Sequence, residues 1–65
     1  MERIIKNWKL IKEPGVKFNM KIENLKTGFC DYPLMYQDGW IVYDRPENVP
    51  AYVKKAVKQM FAQGR

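Results

Sequence analysis

Two asparagines and three lysines form the most chemically suggestive pattern in this sequence. Asn7 and Lys9 lie in the run 3–12, RIIKNWKLIK, and Lys17, Asn19 and Lys21 in the run 16–25, VKFNMKIENL. Residues two apart on a strand point to the same side. On two neighbouring strands these five would share one surface. Ammonium groups there can meet phosphate oxygens, and the amides can hydrogen-bond a nucleic acid. Beside them, Phe29, Met35, Ile41 and Tyr43 would extend the surface with apolar and aromatic side chains. Rings next to lysines suit a single strand, and exposed apolar area suits a protein interface.

Other chemistry is excluded by what the chain lacks. It has no histidine and no serine, and Thr27 is its only threonine. That removes the side chain that titrates unperturbed near neutrality and the usual hydroxyl nucleophile. One cysteine without histidine does not make a zinc site, so neither metal nor cofactor is expected. Cys30 has no partner for a disulfide and reads as a small core residue, since Asp31 beside it would raise a thiol pKa. Asp38 belongs to a turn, Asp44 to the approach to a helix, and Glu47 to the helix start. No glycine-rich phosphate loop is present, and 65 residues leave little room for a substrate pocket. The expectation is a protein without catalysis and without a small-molecule substrate.

Twelve Lys and Arg against seven Asp and Glu give a net charge of +5. An excess of this sign fits a polyanion or the acidic surface of another protein. No stretch approaches a transmembrane span, so no membrane partner is expected. Without a cysteine pair or a secretory pattern, the cytoplasm is the expected location.

These residues must be held by a single α+β domain over 1–65. Val16, Phe18, Met20 and Ile22 alternate strictly with Lys17, Asn19, Lys21 and Glu23, which is a half-buried strand. Glu13-Pro14-Gly15 is the turn before it. A three-residue loop there pairs Lys12 with Val16, Leu10 with Phe18 and Trp8 with Met20, and brings Trp8 and Leu10 onto the apolar face. Lys26-Thr27-Gly28 is the next turn. Pairing Leu25 with Phe29 points Cys30, Tyr32, Leu34 and Tyr36 at the core. Pro33 cannot donate to a ladder, so it belongs at a bulge, a strand end or an outward position. Gln37-Asp38-Gly39 closes a third hairpin with Tyr36 opposite Trp40, both core-facing; a two-residue Asp38-Gly39 turn would instead pair Trp40 with Gln37 and face it outward, and the first is favoured because large aromatics contribute most when buried. A helix from about Pro50 to about Ala62 follows. Val49, Val53, Ala56, Val57, Met60 and Phe61 form its apolar stripe. Gly64 stops it, and Lys54, Lys55 and Lys58 lie off the stripe, in the half that the helix dipole favours for cations. The expected fold is an antiparallel β-meander of three to four strands followed by one C-terminal amphipathic helix packed on one face.

Strands followed by one helix, in that order, resemble in outline the small sheet-plus-helix DNA-binding modules of transposon integrases and plant transcription factors. The resemblance implies a sheet inserted into a major groove. Arginine-rich strands, which such readers use on guanine, are not found here: Arg3, Arg45 and Arg65 are the only arginines. Two functions follow as expectations. One is an intracellular protein-interaction or accessory module, with a protein partner or a homodimer, using the apolar outer face or an edge strand. The alternative is a nucleic-acid-binding module using the basic sheet face.

Overall fold

The computed structural model describes residues 2–12 and 20–63. The chain forms an antiparallel four-stranded sheet, a small two-stranded sheet and one C-terminal helix, an α+β arrangement as expected. The strands are β1 (Glu2–Ile5), β2 (Trp8–Lys12), β3 (Met20–Asn24), β4 (Cys30–Asp31), β5 (Leu34–Met35) and β6 (Ile41–Val42). A 3-10 turn at Pro46–Asn48 leads into helix α1 (Ala51–Gln63). The larger sheet runs β1-β2-β3-β4, and β5 pairs with β6 in the smaller one.

The run 3–12 is a hairpin rather than one strand. Ile5 pairs with Trp8 across a two-residue turn, Lys6-Asn7, with Lys6 at φ +53. In a single strand Ile5 and Trp8 would face opposite sides; across this turn they share the helix side. Between β2 and β3, Lys12 pairs with Met20, Leu10 with Ile22 and Trp8 with Asn24. This differs from the expected register by four residues. An even shift keeps every side chain on its face, so Trp8, Leu10, Met20 and Ile22 all face the core and are buried. The expected positions of Val16 and Phe18, the turn 13–15 and the stop at Gly64 lie outside the described residues.

The β3–β4 register differs by one residue, and there the faces are inverted. Asn24 is the cause. Its side-chain oxygen accepts from the backbone N–H groups of Lys26 and Thr27, at 2.9 and 3.1 Å. Its carbonyl accepts from Gly28 N–H, and its own N–H donates to Phe29. The loop therefore has four residues, 25–28, with Gly28 at φ +81, a conformation glycine adopts at no steric cost. Ile22 consequently faces Asp31, not Tyr32. Asp31 is buried, whereas Cys30 and Tyr32 are exposed. Pro33 is buried at the break between β4 and β5, a strand end, because it cannot continue the ladder.

The helix forms as its 3.6-residue periodicity requires. Val53, Ala56, Val57, Met60 and Phe61 are buried, and Val49 just before the helix joins them against Trp8, Leu10, Met20 and Ile22. The Pro50 carbonyl accepts from Val53 and Lys54 N–H at 3.1 Å, so proline opens the helix where its missing N–H costs nothing. Phe29 sets its ring edge-on to Trp8, centroids 6.1 Å apart. Lys12 ends β2 on the core side, with its ammonium 6.0 Å from the Phe61 ring centroid.

Candidate functional site

The outer face of the four-stranded sheet follows from the register. One cross-strand row is Ile4, Lys9, Glu23 and Cys30; the next is Glu2, Ile11 and Lys21. Among the described residues this face therefore carries two lysines and two glutamates. Lys9 Nζ lies 3.5 Å from the Glu2 carboxylate, and Glu23 is its direct cross-strand neighbour. The face expected to be basic is thus close to neutral where it is described. Asn7 is not on it. It sits in the β1–β2 turn, where its amide donates to the Asn24 side chain at 2.9 Å and its carbonyl accepts from Leu25 N–H. Lys17 and Asn19 lie outside the described residues.

The expected apolar outer surface is also relocated. Phe29, Met35, Ile41 and Tyr43 are half-buried and pack against the core. In the β5–β6 hairpin Met35 pairs with Ile41 and Leu34 with Val42, and Tyr36 lies opposite Trp40, as the three-residue loop requires. The loop is held by Asp38, which accepts from Trp40 N–H at 3.0 Å, and by Gly39 at φ +86. The register is the expected one, but the face is the other. Met35 and Ile41 point inward, and Leu34, Tyr36, Trp40 and Val42 point outward. Trp40 is 67% exposed and Tyr36 54%. Tyr32, two residues before β5, is 56% exposed.

The hairpin is anchored by Asp31, whose role sequence reasoning missed. Its carboxylate accepts from Tyr32 N–H at 2.6 Å and from Asp44 and Arg45 N–H at 3.1 Å each. A buried carboxylate needs such donors, and three backbone N–H groups supply them. The signal was available: a single acid inside the apolar run 29–36 has to be either outward or hydrogen-bonded. Tyr43 lies nearby. Burial first, then the Asp31 charge, push its phenol from 10.0 up to about 12. Its hydroxyl is buried without a hydrogen-bond partner among the described residues. The phenol is therefore held neutral at ordinary pH, the wrong direction for a base or nucleophile.

Cys30 is exposed, with its thiol 3.6 Å from the Gly28 carbonyl. Among the described residues no three of Cys, Asp and Glu gather as a metal site, and no helix is long and apolar enough to cross a membrane. Compared with protein-family models, curated proteins and solved structures, the chain matches none.

Proposed function

We propose that the chain is a non-catalytic protein-interaction module that docks a partner protein on the outer face of the β5–β6 hairpin. The observation that supports this reading is the exposure of Trp40 opposite Tyr36, with Val42 and Leu34 continuing the same face. Large aromatics stabilise a fold most when buried, and in water they are retained at a cost. Rigid aromatic side chains on a short strand pair are also the residue types that dominate binding at interface centres. The β4 edge of the larger sheet offers less: it is two residues long and is followed closely by Pro33, an edge that resists strand addition. Of the groups that could do chemistry, Asp31 accepts from three backbone N–H groups and Tyr43 is held neutral.

The test is site-specific photo-crosslinking in expressing cells. A photoreactive residue at position 40 is expected to give discrete protein adducts, including any with a second copy of the chain. One at position 26, in the exposed 25–28 loop, should not. Tyr36→Ser in the background of the position-40 probe should reduce the adducts several-fold. The reading fails if positions 40 and 26 give the same adduct pattern.

A further inference from the structure

We propose that the helix and the β1 flank form a second, sequence-independent surface for a nucleic-acid backbone, on the opposite side of the four-stranded sheet from the face first suspected. The placement of charge carries it. With two lysines balanced by two glutamates on the described outer sheet face, the excess positive charge among the described residues lies elsewhere. Helix α1, AYVKKAVKQMFAQ, contains three lysines and no acidic residue. Lys55 and Lys58 are exposed, and Lys54 reaches over the Tyr43 ring at 5.7 Å. Two cations of the β1 hairpin join them. Arg3 donates to the Gln59 side chain at 3.0 Å, and Lys6 places its ammonium 4.7 Å from the Tyr52 ring centroid. The one carboxylate of β1, Glu2, alternates to the other face and pairs with Lys9.

These contacts give the surface its geometry. Tyr52 and Gln59 are about 10 Å apart along the helix, at 1.5 Å per residue. Arg3 therefore sits at one end of this span and Lys6 at the other. Lys55 lies on the helix between them, and Lys58 is a turn further along. Four exposed cations thus share about 10 Å of the helix axis, slightly more than the Debye length of about 8 Å at physiological salt. Arg3 and Lys6 are tied to the helix by these contacts, whereas structural explanations for Lys55 and Lys58 are weak. The helix offers no acid for an i,i+4 pair. The last turn carries no cation, and Lys54 and Lys55 sit in the first half, so the expected match to the helix dipole does not hold.

The choice of nucleic acid over an acidic protein rests on how exposed lysines generate affinity. Each exposed lysine–carboxylate pair contributes little, because both partners stay solvated and flexible. Against a nucleic acid each neutralised phosphate also releases condensed counterions, an entropic gain that needs no fixed geometry. Lysines on flexible stems around one arginine fit that mode. They do not fit base reading, which needs planar bidentate groups.

The experiment is fluorescence anisotropy of the intact chain with labelled mixed-sequence duplex and single-stranded oligonucleotides, from low to physiological salt. The variant combines Arg3→Gln, Lys55→Gln and Lys58→Gln. Its control, Lys9→Gln with Lys21→Gln, removes charge from the outer sheet face. The triple variant is expected to lose on the order of tenfold or more in affinity at low salt, with the slope of log K against log salt shallower by roughly 2 to 3 on duplex. The control should retain wild-type affinity to within about threefold. Circular dichroism must show both variants folded; should the triple variant unfold, Lys55→Gln with Lys58→Gln on the exposed helix face replaces it, with a slope change of roughly 2. The proposal is overturned if the wild-type chain binds neither oligonucleotide at low salt. It is equally overturned if control and variant lose affinity alike, or if poly-glutamate of equal charge competes as well as unlabelled oligonucleotide.

Discussion

The helix-covered sheet and the β5–β6 hairpin solve the same problem differently. In the first, Trp8, Leu10, Met20 and Ile22 lie under Val53, Val57 and Met60, all nearly inaccessible to water. In the second, two strands of two residues each turn Met35 and Ile41 inward and leave Tyr36 and Trp40 in solvent. A two-stranded ribbon this short is not stable alone. It borrows its stability from the core beneath Met35 and Ile41 and from the Asp31 carboxylate that pins its far end. Stability is concentrated in one region and accessible aromatic surface in the other.

Mutations should break that contrast in a graded way. Leu10→Ala or Met60→Ala opens a cavity in the sheet–helix core and is expected to cost about 2–5 kcal/mol, read as a fall in the denaturant midpoint. Asp31→Ala leaves the Asp44 and Arg45 N–H groups without their acceptor, and should cost about 2–3 kcal/mol. Its signature is selective: hydrogen exchange should accelerate in β5, β6 and the 44–45 segment before it does so in β2 and β3. Equal acceleration everywhere would mean that the hairpin is not a separable unit. Asn24→Ala removes the cap of the 25–28 loop and should cost about 1 kcal/mol, the scale of a lost side-chain cap.

At the small end, Tyr43→Phe removes a buried hydroxyl without a partner and should leave stability unchanged or slightly raised. It also has a pH signature. The folded phenol titrates at about 12 against 10.0 for a free one, so between those values the native state holds more protons than the unfolded state. The contribution from Tyr43 is intact below about pH 10 and is lost as pH rises towards 12. The variant should show a flatter alkaline limb in a stability–pH titration. Smallest of all, Trp40→Ala should change stability by no more than about 0.5 kcal/mol, as for an exposed side chain. A loss on the core scale would place Trp40 in the fold and end its candidacy as a docking residue.

The reach of the sequence differs between the same two regions, for a physical reason. The helix stripe from Val49 to Phe61 is self-contained, because its period does not depend on a partner strand. Trp8 and Leu10 were legible through parity, which survives an even register error. The Lys6-Asn7 turn was not, since neither glycine nor proline marks it. Its only trace is that Ile5 and Trp8 are both apolar yet out of phase for one strand. The β3–β4 loop hinged on whether Asn24 belongs to the strand or caps the turn, and that single residue decides whether Asp31 or Tyr32 is buried. For the hairpin, Asp38-Gly39 marks the turn but not its length; the Tyr36–Trp40 pairing was expected on the ground that Trp40 would be buried, and the pairing holds although Trp40 faces solvent. Local turn chemistry sets the register, while the break at Pro33 and the Asp31 anchor decide which side meets the core. The charged surface was least legible: alternation places Glu23 beside Lys21 on the outer face, but Glu2 reaches Lys9 only through the β1–β2 hairpin, which parity alone does not specify.

The Asp31 carboxylate has a consequence for how the chain finds its native strand alignment. Sliding β4 by one residue against β3 would put Cys30 or Tyr32 in the inward position. Neither offers two acceptor oxygens to N–H groups 13 and 14 residues further along the chain. The slip would also leave those two donors without their acceptor. One acidic residue thus works as a proofreading device for strand alignment: the native register alone gives these donors their acceptor, and the neighbouring registers forfeit it.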